Sequence, residues 1–298
     1  MKVIVTGGKG FLGKFVVAYL KKAGYETTIL SRSDENQSKE VVKTDYSLED
    51  LTAILADHDA IVHLAAKRGS QGKKVEFQEN ENLTQNLYDA ALANNIKNIV
   101  YASTISVYSG EGTLPWTELT LPNPHLMYGI SKVSCEMIGN LYNEKYGMTI
   151  KNLRLAHLYG PSEKNNYMIN LFFRQAYKKE TLNLKTQSSA KREFLYVKDA
   201  ADAILKAIQN VDKRGTYNIG SNCALTNEVV AQKINTVFNN AGNLLIQNPH
   251  LKDTSKPSFM DSELSKIELG YSPQYSFNQA LEEIFKELKE YDDVPIYY

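Results

Sequence analysis

The residues with the most chemical potential are Tyr128 and Lys132, in Tyr128-Gly129-Ile130-Ser131-Lys132, four apart and therefore on one face of a helix. A phenol with an ordinary pKa of about 10 is a poor base at neutral pH. An ammonium beside it favours the phenolate and brings the group toward the working range of a proton shuttle. The same lysine can bond the ribose of a bound dinucleotide, coupling a cofactor to the acid–base group. Upstream, Ala102-Ser103-Thr104-Ile105-Ser106-Val107-Tyr108 offers hydroxyls at the end of an apolar strand. One of them can hold a substrate oxygen against the phenol, although serines and threonines at strand ends commonly serve only the backbone. A Tyr-Lys pair is frequent on any helix, so its meaning depends on what else the chain holds.

What else it holds is a glycine loop. Thr6-Gly7-Gly8-Lys9-Gly10-Phe11-Leu12-Gly13 lies between an apolar, β-branched burst at Lys2–Thr6 and a helical pattern at Phe11–Lys22. Gly7, Gly10 and Gly13 permit a tight turn, close approach of backbone to a pyrophosphate, and close packing of helix on strand. The helix N-terminus then offers unpaired N–H groups and partial positive charge to phosphates. The end of the second strand selects the dinucleotide: an acidic residue binds the ribose 2′-OH of NAD, whereas an arginine accommodates the 2′-phosphate of NADP. Here the chain runs Leu30-Ser31-Arg32-Ser33. Arg32 therefore favours NADP(H), against the plainer reading of a solvated loop arginine.

The elements that must position these groups alternate. Strands are expected at Lys2–Thr6, Glu26–Leu30, Ala60–Leu64, Asn98–Ala102 and Ile150–Leu155. Helices are expected at Phe11–Lys22, from Ser47 to about Ala56, at Asn80–Asn94 and at Tyr128–Tyr146. Ser47 followed by Asp50 resembles a capping box with Asp in place of Glu. This alternation builds right-handed βαβ units, and hence an α/β fold with a Rossmann-type, doubly wound parallel sheet. Residues 1–160 would form that dinucleotide-binding domain, and 194–220 would rejoin it as a strand–helix–strand excursion. Residues 161–298 would otherwise form a smaller, mixed C-terminal substrate-binding lobe.

Composition removes other classes. Of 298 residues, 43% are apolar and 23% charged, and 34 Lys+Arg balance 34 Asp+Glu. That supports a sizeable core and supplies no global field for nucleic acid or an anionic membrane. Two cysteines, Cys135 and Cys223, in no metal-like spacing, exclude a disulfide scaffold and a structural zinc site and suit a reducing cytosol. The start of the chain is too short for a signal h-region, and no apolar run reaches the roughly 20 residues that span a bilayer. A soluble, cytoplasmic protein without a metal is expected.

Together the motifs resemble the extended short-chain dehydrogenases/reductases of the NAD-dependent epimerase/dehydratase family, which mostly act on nucleotide sugars. The resemblance covers nearly the whole chain: TGGKGFLG at 6–13, HLAA at 63–66, Asn80 opening its helix, ASTISVY at 102–108, YGISK at 128–132, LRLAHLYGP at 153–161, REFLYVKDAADA at 192–203 and YNIGS at 217–221. It implies Tyr128 as the acid–base group and Lys132 as its partner. It selects Thr104, four residues before the tyrosine of the Val-Tyr pair, rather than Ser103. It places Gly7, Gly10, Phe11 and Leu12 at the pyrophosphate, Asp45 at the adenine, and Leu64, Ala65 and Ala66 on the ribose side. Arg192 matches an arginine that meets a substrate diphosphate, a task suited to a guanidinium fork; a solvated hinge charge is the plainer alternative. His63 is expected to be structural.

Departures from the family pattern bear on the substrate. Family dehydratases carry an Asp-Glu pair directly after the hydroxyl residue, and here Ile105-Ser106 replace it, which disfavours 4,6-dehydration. His157 stands where nucleotide-sugar enzymes often place Asn, and no second diphosphate arginine is found near Leu251-Lys252-Asp253. The expected activity is an NAD(P)-dependent epimerase or 4-ketoreductase of a nucleotide sugar. A reductase of non-sugar carbonyls and a non-catalytic dinucleotide sensor are alternatives, though a sensor would usually have lost Tyr128 or Lys132. The resemblance further implies a homodimer built on Asn80–Asn94 and Tyr128–Tyr146, through Leu83, Leu87 and Leu92 and Met137, Ile138 and Leu141.

Overall fold

A computed structural model of the chain describes residues 1–33, 40–67, 72–108, 112–163, 165 and 167–290. The first half runs β1 (Lys2–Thr6), α1 (Phe11–Lys22), β2 (Glu26–Ser31), β3 (Val41–Lys43), α2 (Leu48–Leu55), β4 (Ala60–His63), α3 (Gln78–Ala93), β5 (Asn98–Thr104), α4 (Met127–Tyr146) and β6 (Thr149–Leu155). It continues with β7 (His157–Tyr159), α5 (Met168–Tyr177), β8 (Leu182–Gln187), β9 (Lys191–Tyr196), α6 (Val197–Gln209) and β10 (Gly215–Ile219). The rest is β11 (Ala224–Thr226), α7 (Asn227–Val237), β12 (Leu244–Lys252), α8 (Glu263–Leu269) and α9 (Phe277–Glu290).

Seven strands form one sheet in the order β10-β6-β5-β4-β1-β2-β3, every pair parallel. Strand order reverses between β1 and β4, the switch point outside which doubly wound sheets bind ligands. Both faces are apolar, as a sheet covered on two sides requires. On one face Ile4, Ile61, Ile99 and Ile150 are register partners across four strands and are fully buried. They lie in one cluster with Leu51, Leu87 and Tyr88 from α2 and α3. On the other, Val3, Val5, Val62 and Val100 meet Val16 and Leu20 of α1 and Ala203 and Ile204 of α6. Each such side chain contributes roughly 1.5–3 kcal/mol of burial free energy.

Helix ends follow their sequence signals in part. Ser47 Oγ accepts from Asp50 N at 3.3 Å and caps α2, but Asp50 Oδ2 accepts from Asp45 N rather than closing a reciprocal box. Helix α4 stops at Gly147, in the left-handed conformation with φ 62°.

The second half differs from the sequence reading in one respect. Of the excursion at 194–220, Gly215–Ile219 does join the large sheet beside β6, and α6 packs on it. Strand β9 instead sits at the centre of a three-stranded sheet, parallel to β7 and antiparallel to β11. A parallel pair, β8 and β12, stands apart. A separate core gathers Phe172, Phe173, Ile234, Phe238, Leu281 and Ile284 under these strands. Residues 258–261 then cross between the two regions. Ser258 N donates to Lys191 O, Met260 N to Glu193 Oε2, Trp116 N to Phe259 O, and Asp261 N to Trp116 O. The apolar faces offered to a partner divide likewise: Leu83 and Leu87 are core residues, whereas Met137 and Leu141 are 66% and 50% exposed.

Candidate active site

The glycine loop is tight because side chains are excluded from it. Gly7 has φ +70°, and a Cβ there would lie 2.8 Å from Ala65 N. A Cβ on Gly13 would lie 2.2 Å from Gly7 O, and one on Gly8 would meet Ile29 at 2.8 Å. Gly10 caps α1 without a side-chain bond, and a methyl there would touch only Gly7 O, at 3.1 Å. The outer side of the loop is thus open over a helix N-terminus, the arrangement that holds phosphate. The side chains of Phe11 and Leu12 face inward, into the C-terminal core.

A cleft of 330 Å³ opens beside this loop, lined by Gly7, Lys9, Arg32, Tyr46, Ala65, Ala66, Glu79 and Asn80 among others. Leu64 packs against the large core instead. Asp45 is exposed: its Oδ1 accepts from Ser47 N at 2.7 Å, and bonds to Ser47 hold its carboxyl below the usual carboxylate range. The aromatic ring at this turn that lines the cleft belongs to Tyr46. Loop, cleft and helix end fit a nicotinamide dinucleotide.

Buried hydrogen bonds fix the floor of the cleft. Thr6 Oγ1 accepts from Leu64 N and Ala65 N, each at 3.1 Å, and so donates to His63 Nδ1 at 2.8 Å. Thr84 Oγ1 donates to Asn80 O at 2.7 Å, which makes His63 Nε2 the donor to Thr84 at 3.1 Å. The network therefore assigns a neutral, Nε2–H imidazole. Burial, reinforced by the charge of Lys132, pushes the His63 pKa down to about 3. Asn80 donates to Ser131 Oγ at 3.3 Å and to Lys67 O at 3.1 Å, tying the loop after β4 to α4.

Helix α4 brings Tyr128 and Lys132 to the ends of β5 and β6. Lys132 is 2% exposed; its Nζ donates to Ala102 O at 2.7 Å and lies 5.9 Å from the Tyr128 ring centroid. Tyr128 is half-buried, its ring 6.3 Å from that of Phe77. Gly129 is a requirement that spacing alone did not expose. A Cβ there would lie 2.3 Å from Ser106 O, so only glycine lets α4 approach the turn after β5 this closely. Thr104 ends β5, and its Oγ1 accepts from Ser106 N at 3.2 Å, capping the turn at 105–107.

Beneath this group lies a buried network that the motifs did not announce. Arg154 and Glu136, 5% and 3% exposed, pair at 2.7 Å, and Ser103 Oγ donates to Glu136. Arg154 Nη1 donates to Tyr108 Oη at 2.7 Å, and Tyr108 donates in turn to Asn218 Oδ1 at 2.9 Å. Arg154 alternating with the apolar Leu153 and Leu155 of β6 was the available signal, because a charge in a buried strand demands a buried partner.

Two residues past the strand partner of Thr104, His157 begins β7. Its Nε2 is 3.4 Å from Ser258 Oγ, and burial together with the Arg192 charge pushes its pKa down to about 4. Arg192 is half-buried and bridges to Ser258 along the chain. The two sequence-nominated residues are thus brought together. Among the described residues no group of three or more His, Cys, Asp or Glu could hold a metal ion, and no helix is long and apolar enough to cross a membrane.

The profile of the NAD dependent epimerase/dehydratase family matches residues 3–220. The chain belongs to this family. Its members are NAD-dependent enzymes, and this chain is an enzyme of the same type. The crystal structure of UDP-N-acetylglucosamine 4-epimerase from Bacillus cereus is similar to it at 55% identity and a TM-score of 0.94, each chain covered in full. A UDP-glucose 4-epimerase from Mycolicibacterium smegmatis is 26% identical, over 94% of this chain and 96% of its own. DesIV, a dTDP-glucose 4,6-dehydratase from Streptomyces venezuelae solved with NAD and TYD bound, is 25% identical with a TM-score of 0.82, covering 97% of each chain.

Proposed function

We propose that this chain is a 4-epimerase of UDP-N-acetylhexosamines that works with a retained NAD. The observation that carries the reading is the pairing of Tyr128 and Lys132 on α4 against the end of β5, with no acid pair after Thr104. Ile105, 2% exposed, and Ser106 occupy the positions where a dehydratase needs two carboxyl groups. Full-length likeness to the Bacillus cereus enzyme supports the UDP-N-acetylhexosamine class.

When bound, NAD supplies a reversible hydride acceptor at the sugar carbon. Tyr128 Oη takes the proton of the hydroxyl at that carbon and later returns one to the same oxygen. Lys132, fixed by Ala102 O, keeps positive charge near the phenol. Thr104 Oγ1 holds the reacting oxygen. Arg192 clamps the diphosphate, and His157 beside it stays neutral because its pKa is held well below 6.5. Arg32, which favoured NADP(H) and with it a reductase, has its guanidinium 3.1 Å from Glu79 and is spent on that carboxylate. Met137 and Leu141 supply the exposed stripe of a homodimer; sedimentation of Met137→Glu as a monomer would support it, and an unchanged mass would remove it.

The test is incubation of the purified protein with UDP-N-acetylglucosamine and no added cofactor, followed by NMR of the sugar. Inversion at C4, with NAD released on denaturation, supports the reading. Dependence on added NADPH, with net reduction of a carbonyl, overturns it.

A further inference from the structure

The end of β2 decides which dinucleotide a sheet of this kind accepts, because that point meets the 2′ position of the adenosine ribose. Here the residue is Arg32, half-exposed, and its surroundings rather than its identity set the outcome. Its Nη2 lies 3.1 Å from Glu79 Oε2, and its guanidinium carbon lies 5.6 Å from the Tyr46 ring centroid. The Tyr46 platform is itself fixed, since its hydroxyl donates to Leu30 O at 3.0 Å. Glu79 is held from the other side by Lys67 Nζ at 2.5 Å. Lys9, the third cation among the described residues of the cleft wall, donates to Ser33 O at 3.0 Å and ties Ser33 to the glycine loop.

Glu79 therefore comes from α3, not from the strand end where an acidic selector is sought. It occupies the second position of that helix, where the helix dipole favours an anion. Hydrogen bonding to Lys67 chiefly, with help from Arg32, lowers its pKa, so the carboxylate is charged at neutral pH. A carboxylate accepts from a ribose hydroxyl and offers nothing to a phosphate but repulsion.

We propose that Glu79 is the specificity-determining residue for the cofactor: by occupying Arg32 it converts a corner built for a 2′-phosphate into one that takes a 2′-hydroxyl. This rests on the NAD reading above and deepens it. Among the described residues that line the cleft, Lys9, Arg32 and Lys67 stand against one carboxylate, Glu79, which is therefore the described group that opposes a 2′-phosphate. Removing its charge leaves Arg32 and Lys67 facing the 2′ position uncompensated.

The experiment is titration of the dinucleotide-free protein with NADH and NADPH, read by nicotinamide fluorescence, for the wild type, Glu79→Gln, and Glu79→Gln with Arg32→Ala. The glutamine keeps the shape and removes only the charge; Glu79 is 47% exposed, so the fold does not depend on it. Glu79→Gln is expected to gain at least tenfold in NADPH affinity, about 1.4 kcal/mol, with NADH changed less than threefold. The double variant should lose that gain, and 0.5 M salt should erode it. A NADPH-to-NADH ratio that moves less than threefold in Glu79→Gln, or a gain that survives Arg32→Ala, overturns the proposal. Equal affinities in the wild type would instead sink the NAD reading, and the effect of Glu79→Gln, judged against that wild type, would remain measurable.

Discussion

Replacing Glu136 by Gln is expected to cost far more stability than its distance from solvent-facing chemistry suggests. The carboxylate accepts three contacts from Arg154, two from Nε at 3.1 and 3.2 Å and one from Nη2 at 2.7 Å, plus the Ser103 hydroxyl. Removing one partner of a buried pair strands the other charge and costs about 3–5 kcal/mol. For a chain of 298 residues, an unfolding entropy of about 2.1 cal/mol/K per residue makes this a fall in Tm of roughly 5–8 °C. Arg154→Met should fall equally, because Glu136 is then the stranded charge. The double variant Glu136→Gln with Arg154→Met should lose much less than the two singles together, since neither charge remains to be desolvated. Calorimetric melting of all four proteins at one pH completes the cycle. Single variants within about 2 °C of wild type, or a double variant equal to the sum of the singles, would refute the claim that the pair acts as one buried unit.

Other consequences can be checked separately. Tyr128→Phe should lower turnover by about 10²–10⁴-fold while isothermal titration finds dinucleotide binding nearly unchanged; near-normal turnover would remove its acid–base role. Gly13→Ala must place a methyl 2.2 Å from Gly7 O, so the purified protein should carry little dinucleotide and be destabilised by about 1–3 kcal/mol. His63 and His157 have folded pKa values of about 3 and about 4, below the ordinary 6.5. Below pH 6.5 the unfolded chain binds protons that the folded chain refuses, so stability is full above that pH and falls as pH drops. At pH 5.5 each histidine removes about 1.4 kcal/mol, and His63→Gln should flatten the dependence of Tm on pH between 7.5 and 5.5.

Most of the large sheet was readable because strands such as β1, β4 and β5 carry a burst of apolar residues next to a helix with a clear face. Strands β1, β4, β5 and β6 match that reading within about two residues at either end, and α1 matches at both ends. Strands β3, β8 and β12 are among the elements it missed. Strand β3 has only three residues, none of them buried, and β12 has no buried residue along its described length. The pairing of β8 with β12 joins residues roughly sixty apart, which no local pattern encodes. At the candidate site, sequence-local motifs could nominate residues, whereas contacts between elements could not be nominated. Arg32 was visible at its strand end, whereas Glu79, which neutralises it, enters from another helix. Residues 291–298, which hold three tyrosines, lie outside the described residues.

The segment at 258–261 has a consequence for how the protein matures. It seats against Trp116 on one side and against β9 on the other, while Tyr217 of β10 donates to Glu268 of the helix that follows. The wall bearing Arg192 and His157 is therefore completed by residues synthesised after the whole large sheet. A ribosome-bound chain ending at β10 holds every strand of the large sheet, but not the strip that seats between Trp116 and β9. The order of synthesis therefore finishes the sheet before the segment that joins it to the smaller one.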